Sequence, residues 1–545
     1  MVISDVKILI ISSNFTIFGL KPKQSHMKSL IPISLGLLAG AAAVQGAEPK
    51  VPKKAKAQPK MNILFIMSDD MRTDWKVYGT PQMHTPNLDR LASQGVLFQH
   101  NYCQYPLSGP SRTSLLSGHR PVSTRIYDNS PWWQADHPEW HSLPMYFKEN
   151  GYTTYVAGKI FHAGIEDTEA WDFGGWQRAR NKGVGDFQPS YVSEEEHRQW
   201  VEARGGGAKQ IKVNGIREMG PGDEYLVGHG RDSDRWGPDE TRYISEEENT
   251  DKAIGFIRDA AKKKGEPFFI ACGYSKPHSP FLCPQRFFDL YKDVDVPLAE
   301  DFCTWPMVPR GFPAGSIREI NADVFINRRC SPEEAKEALR AYWACISYVD
   351  WNVGRLLAAL EEEGLRDNTI IVFCVDHGMQ MGEKGKWSKA GSLWEEGTNV
   401  PLVVVDPRAK ANGKISYRIT ENLDIYPTLV ELCGLPAKPD LEGTSFAALL
   451  NDPEAEFDKP AFTVWNNHGK GITGVGIRTE RWRYAEYYGV GAGRMLIDEV
   501  NDPHELVNLA EQPENAQLIA WFHELASAYV KGQRELTKEE AMARR

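Results

Sequence analysis

At 545 residues, with 41% hydrophobic and 25% charged residues, the chain has a globular composition and enough length for one large domain and a smaller one. Its formal net charge of −10 and the absence of a long basic block exclude the phosphate-neutralising face that nucleic-acid binding requires. An anionic ligand has to be held by local cations against an acidic background.

In chain order, the first candidate element is an export signal. From Met27 a basic start leads into "IPISLGLLAGAAAV" and then small residues near Gly46 and Ala47. Residues 1–47 are expected to be that signal, with Met27 as its true start and a periplasmic or extracellular destination. No cysteine lies near the cleavage point, so no stable membrane anchor is expected. Residues 48–60, containing "PKVPKKAKAQPK", read as an unstructured linker.

Five short apolar runs then read as buried parallel strands: "NILFIMS" (62–68), "TTYVAG" (153–158), "PFFIACG" (267–273), "TIIVFCV" (369–375) and "PLVVVD" (401–406). Helical segments alternate with them. "TPNLDRLASQG" carries Pro86 in its first turn, and a long helix comes after Ser331 and Pro332 with acids in its first turn. This is an α/β pattern with helices on both faces of a sheet. Near the C-terminus "FTVWNN", "GVGIRTE" and "WRYAEYY" read as antiparallel strands, and "ENAQLIAWFHELASAYVKG" as an amphipathic helix packed on them. The eight cysteines show no zinc spacing; buried thiols, or one or two disulfides, are the readings left open.

The residues just past the end of each strand carry chemistry. Asp69-Asp70 stands after the first, Lys159 and His162 after the second, Lys276 and His278 after the third, and Asp376-His377 after the fourth. Carboxyl ends of parallel strands form the ligand crevice of an α/β sheet, so these side chains are expected at one edge. Asp69, Asp70 and Asp376, with His377, make an oxygen-rich set suited to a hard divalent cation, calcium or magnesium. Arg112, Lys159 and Lys389 can neutralise a tetrahedral oxyanion, and His162 and His278 are proton-transfer candidates with near-neutral pKa values. Ser108 opens "SGPSRTSLLSG" (108–118), where a Gly-Pro step fits a tight turn and a helix is expected from Thr113, its first amides favouring an anion. Together these groups are equipment for hydrolysing a phosphate or sulfate ester through a covalent intermediate at Ser108.

The segment "SGPSRTSLLSG" resembles the signature of the type I sulfatase family, built on (Cys or Ser)-x-Pro-Ser-Arg. The likeness continues through "NILFIMSDDMRTDWKVYG", "GYTTYVAGKIFHAG", "GYSKPHSPF", "VDHGMQMGEKGKWSKAG" and the C-terminal "IRTERWRYAEYY", covering nearly everything after residue 60. "GKIFH", "YSKPHSPF" and "YDN" (127–129) are similar to the iduronate-2-sulfatase branch. The resemblance implies an alkaline-phosphatase-like sandwich: a large, mixed, mostly parallel sheet flanked by helices in a catalytic domain at 61–455, and an antiparallel subdomain at 456–545. It implies that Ser108 is oxidised to formylglycine (3-oxoalanine) by a radical-SAM maturase, giving a hydrated aldehyde whose second hydroxyl lets sulfate leave. Asp69, Asp70, Ser108, Asp376 and His377 would bind Ca2+. Lys159, Lys389 and His278 would hold the sulfate, His278 protonating the leaving alcohol, while Arg112 steadies the diol and His162 assists elimination. The implied substrate is a sulfated polysaccharide or oligosaccharide.

Two departures from the family pattern bear on the substrate: Lys384 stands where "GEHG" is usual, and "LID" (496–498) replaces "LYD", so both positions are expected to alter subsite contacts. Cys103 lacks Pro-Ser-Arg at the required offsets and is expected to be structural. The competing readings are a phosphatase or phosphodiesterase of the same superfamily using unmodified Ser108, and a non-catalytic sulfated-glycan-binding protein.

Overall fold

The computed structural model describes residues 60–129, 133–162, 165–174, 227–228, 235–238, 245–326, 328–466 and 471–531. The expected export signal and all of the linker but Lys60 lie outside them. Within the described residues the strands are β1 (Asn62–Asp69), β2 (Val96–Tyr102), β3 (Thr153–Gly158), β4 (Phe173–Gly174), β5 (Val227–Gly228), β6 (Arg235–Pro238), β7 (Phe268–Pro277), β8 (Phe281–Cys283), β9 (Thr369–Val375), β10 (Leu402–Val405) and β11 (Ile415–Glu421), followed by β12 (Ala461–Asn466), β13 (Ile472–Arg478), β14 (Trp482–Tyr487) and β15 (Gly493–Asp498). An eight-stranded sheet runs β11-β2-β10-β9-β1-β7-β3-β4, and a small three-stranded sheet runs β5-β6-β8.

The main sheet is covered on both faces, which is why its central strands read as unbroken apolar runs. Along β1, Leu64 and Ile66 enter one core, packed with the helices Pro86–Gln94, Ser245–Lys262 and Pro332–Glu362. Ile63, Phe65 and Met67 enter the other, with the helices Ser108–Ser117, Leu143–Glu149 and Ile425–Leu432. The long helix Pro332–Glu362 begins with a capping box between Ser331 and Glu334, which satisfies two amides its first turn would leave bare.

One strand runs against expectation. β10, within "PLVVVD", is antiparallel to both β9 and β2, while the other pairings in the sheet are parallel. A strand buried on both faces looks the same in sequence whichever way it runs, and direction depends on the connection. The segment 376–401 returns from β9 without a long crossover helix, so its next strand pairs antiparallel. β2 and β11 were not legible as strands because polar residues interrupt them, as in "VLFQHNY" and "ISYRITE".

The C-terminal strands form a four-stranded antiparallel meander, β12-β13-β14-β15. The helix Ala516–Val530 packs on it through Ile519, Phe522, Ala526 and Val530, with Phe522 stacked on Tyr484 at 5.1 Å. Cys103 is buried, and all eight cysteines are free thiols.

Candidate active site

The four central strands β9, β1, β7 and β3 lie side by side and parallel, so their carboxyl ends deliver Asp376, Asp69, His278 and Lys159 to one edge. Asp70 turns the chain immediately after β1 with φ 62°, a left-handed conformation that costs a non-glycine residue energy. It is held there by its own amide, which donates to Asp376 Oδ1 at 3.2 Å, and by the Tyr342 hydroxyl, which donates to its carbonyl at 2.7 Å.

Ser108 reaches this edge from the other side. The expected turn is absent: the helix starts at Ser108 itself and runs to Ser117, five residues earlier than the expected start at Thr113. Pro110 falls within the first turn, where its missing N–H costs nothing. The helix N-terminus therefore faces the edge directly. Gly109 is required, because a Cβ there would sit 2.7 Å from Asn129 Cα, and its amide donates to Asn129 Oδ1 at 2.8 Å. Ser108 Oγ donates to Asp69 Oδ1 at 3.0 Å and lies 2.9 Å from His377 Nε2.

Around that hydroxyl, three carboxylates face three cations. Arg112 Nε donates to Asp376 Oδ2 at 2.8 Å, and its Nη1 donates to the Lys159 and Ile160 carbonyls at 2.8 Å each. Lys159 pairs with Asp69, and Lys389 Nζ donates to Asp70 Oδ2 at 2.6 Å. Burial alone would raise the Asp69 carboxyl, but Lys159 and Arg112 outweigh it and hold Asp69 well below the usual carboxylate range. Burial disfavours a charged Lys389, yet Asp323 and Asp70 overcome it and raise its pKa.

One oxygen in the cluster is orphaned. Asp70 Oδ1 is buried without a hydrogen-bond partner; His377 Nε2 lies 3.3 Å away but lacks hydrogen-bond geometry. Ligand atoms of Asp69, Asp70, Asp376 and His377 all lie within 4.8 Å of one another. An unsatisfied buried carboxylate oxygen is expensive, and three carboxylates with one imidazole suit a hard divalent cation. The donor set fits such an ion.

The histidines depart from expectation. Burial, reinforced by Lys389, pushes His278 down to about 3; burial and then Lys159 push His162 down to about 3. Neither is near neutrality. His278 Nε2 lies 3.8 Å from Asp70 Oδ2, so it belongs to the cluster. His162 feels the charges of Lys159, Asp69 and Arg112, but its buried Nδ1 has no hydrogen-bond partner. Lys276 braces the loop, donating to the carbonyls of His278 at 3.1 Å and Pro280 at 2.6 Å.

Two expected subsite residues are interior instead. Lys384 is 2% exposed, pairs with Asp301 at 2.8 Å and lies 4.3 Å over the Trp394 ring. Ile497 of "LID" is fully buried in a cluster with Leu393 and Trp394. Sequence reasoning missed Asp323, whose Oδ2 accepts the Lys389 amide at 3.2 Å while Oδ1 lies 3.6 Å from Lys389 Nζ. It also missed Asn129 and Tyr342, which fix Gly109 and Asp70.

Comparison with known proteins agrees with this geometry. The family model described as sulfatase matches residues 61–435, and one described as the C-terminal region of N-sulphoglucosamine sulphohydrolase matches residues 382–531. Iduronate 2-sulfatase of Mus musculus is 30% identical, covering 86% of this chain and 91% of the relative. A sulfatase of Formosa agariphila is 31% identical over 84% of each. A solved structure described as a complex with its substrate D-glucosamine-2-N,6-O-disulfate superposes with TM-score 0.63 at 22% identity, covering 87% of this chain and 99% of the other. Phosphonate monoester hydrolase of Agrobacterium radiobacter shares the fold with TM-score 0.63 at 23% identity, covering 86% and 95%. Among the described residues no helix is long and apolar enough to cross a membrane. The chain belongs to the sulfatase family, as a sulfuric ester hydrolase related to the iduronate 2-sulfatases.

Proposed function

We propose that the protein removes sulfate from a sulfated carbohydrate, with Ser108, in oxidised form, as the nucleophilic residue. The observation that carries this is the placement of Ser108 Oγ between Asp69 and His377, with Lys159, Lys389 and His278 grouped around the same carboxylates. The glycan assignment draws on relatives named for sugar sulfates, including an N-acetylglucosamine-6-O-sulfatase of Bacteroides thetaiotaomicron at 25% identity. A maturase, radical-SAM in type for a serine precursor, would oxidise Ser108 to formylglycine; the hydrated aldehyde supplies a nucleophile with the exit for sulfate that plain serine lacks.

Asp69, Asp70, Asp376 and His377, with residue 108, would hold Ca2+, which when bound offsets the carboxylates and polarises a substrate oxygen. The chain's own residues do the rest. Lys159 and Lys389 bind the equatorial sulfate oxygens and offset charge that grows in the transition state. Arg112 is fully buried and bonded to Asp376 and two carbonyls, so it fixes the geometry beneath residue 108. Lys276 holds the loop that aims His278. An incoming sulfate works against the two lysines that depress His278, favouring its protonated form and so its role as donor to the leaving alcohol. His162 stands nearby as the candidate base for release.

Turnover of an aryl sulfate against an aryl phosphate tests this reading. Sulfate preference, loss of rate on chelation and recovery with Ca2+ support it. Phosphate preference, or full activity after exhaustive chelation, would point to the phosphoesterase alternative or to a different metal assignment.

A further inference from the structure

The turn that aims Asp70 is braced from outside the sheet edge. Asp70 stands at φ 62°; one of its carboxylate oxygens accepts from Lys389, and the carboxylate belongs to the candidate cation cluster. A non-glycine residue persists in that region only where its surroundings over-determine it. Here much of the brace is a single hydroxyl. Tyr342, fully buried in the long helix Pro332–Glu362, donates to the Asp70 carbonyl at 2.7 Å and accepts from the Arg72 amide at 2.9 Å. One oxygen thus satisfies a carbonyl and an amide that lie beyond the end of β1, where no sheet ladder can pair them. Phe281 of β8 packs edge-on against the tyrosine ring, centroids 5.3 Å apart, and fixes its direction.

The other contacts of this turn do not replace that hydroxyl. Trp343 Nε1 donates to Asp74 Oδ2 at 3.3 Å, and Arg72 Nη1 donates to Glu383 Oε1 at 2.8 Å. Both hold side chains further along the turn and leave the Asp70 backbone alone. The Asp70 amide does donate to Asp376 Oδ1 at 3.2 Å, but Asp376 is itself a member of the cation cluster. Among the described residues, Tyr342 is therefore the brace on the Asp70 backbone that lies outside the cluster.

We propose that Tyr342 is a positioning residue for the cation: it presets the Asp70 carboxylate and so raises the affinity for Ca2+ without touching ion or substrate. The inference rests on the Ca2+ assignment in the proposed function. A ligand already in place gives up little freedom on binding, whereas a turn free to relax has to be reordered at the expense of affinity. Groups that orient a metal ligand from behind are worth about 10- to 100-fold in metal affinity.

The test reads Ca2+ binding by the full-length protein through competition with a fluorescent chelator, beside kcat on 4-nitrophenyl sulfate at saturating Ca2+. Tyr342→Phe keeps the ring and removes the oxygen. It should weaken Ca2+ binding by about 10- to 100-fold, while kcat at saturating Ca2+ changes far less. Trp343→Phe, which unties Asp74 from the same helix, should leave the affinity where it was. Unchanged affinity in Tyr342→Phe overturns the proposal, and so does an equal loss in both variants, which would make the effect one of helix packing. Should Tyr342→Phe not fold, amide exchange in the unsubstituted protein decides it. Residues 70–72 should be protected without Ca2+ and gain little when it binds; a segment that exchanges freely until Ca2+ orders it overturns the proposal. No Ca2+ binding by the unsubstituted protein defeats the metal assignment and the proposal with it, whereas binding that Tyr342→Phe leaves unmoved defeats the proposal alone.

Discussion

Two buried ionic clusters flank the segment 389–399, and they are built differently. At the seam with the C-terminal meander, Arg483 of β14 has every nitrogen engaged. Nε donates to Glu499 at 2.8 Å, Nη1 to the Leu393 carbonyl at 3.0 Å and to Thr398 Oγ1 at 3.3 Å, and Nη2 to Glu395. At the sheet edge, Asp70 is in a left-handed conformation with one buried oxygen unpartnered, and two histidines are held far from their ordinary titration range. The contrast teaches that buried charge alone does not mark a site. The seam too has a left-handed residue, Glu505 at φ 54°, whose buried Oε1 lies 2.7 Å from Arg483 Nε outside hydrogen-bond geometry. What sets the sheet edge apart is the convergence of three carboxylates and an imidazole within 4.8 Å of one another.

The comparison can be broken from either side. The largest effect is expected at Ser108→Ala, which should lower kcat on a sulfate ester by roughly 10³-fold or more while the melting temperature barely moves. Substantial residual turnover would remove Ser108 from the chemistry. At the seam, Arg483→Met should leave Glu505 buried without its cation and Glu395 and Glu499 with only the longer contacts to Arg478 at 3.5 and 3.6 Å, costing about 3–5 kcal/mol in denaturant unfolding. Activity per folded molecule should persist, so a stable but inactive variant would show that the seam is part of the catalytic apparatus.

His278→Ala should slow hydrolysis of a sugar sulfate by about 10²-fold and that of an activated aryl sulfate much less, since a basic alkoxide needs a proton to leave and a nitrophenolate does not. Equal losses on both would send the search for the proton donor elsewhere in the crevice. The smallest effect is expected at Lys384→Met, about 1–3 kcal/mol of stability from the Asp301 carboxylate it strands, with relative kcat/KM values unchanged. A shift in substrate preference would return Lys384 to the subsite role its position in "GEKG" suggests.

The sheet edge was legible because each central strand is an apolar run ended abruptly by polar residues, and parallel strands put such ends together. Asp69, Asp70, Lys159, His278, Asp376 and His377 all came from that rule. The direction of β10 was not legible, because a doubly buried strand carries no directional mark. The start of the Ser108 helix was hidden by a Gly-Pro step that reads as a turn and is in fact a first helical turn pressed against Asn129. Asp323 sits in "NADVFINRR" within an aperiodic loop, and only the pairing of that loop with 387–389 brings its carboxylate to Lys389. Likewise, nothing in "GEKG" shows that Lys384 turns inward over Trp394, since that depends on a left-handed residue at φ 54°.

The central claim, an oxidised Ser108 at the head of a buried helix, is tested most directly by peptide mass spectrometry across residue 108 in protein that turns over a sulfate ester. The account predicts a peptide lighter than the serine form by two hydrogens, or the corresponding hydrate. An active preparation in which residue 108 is intact serine throughout would contradict it.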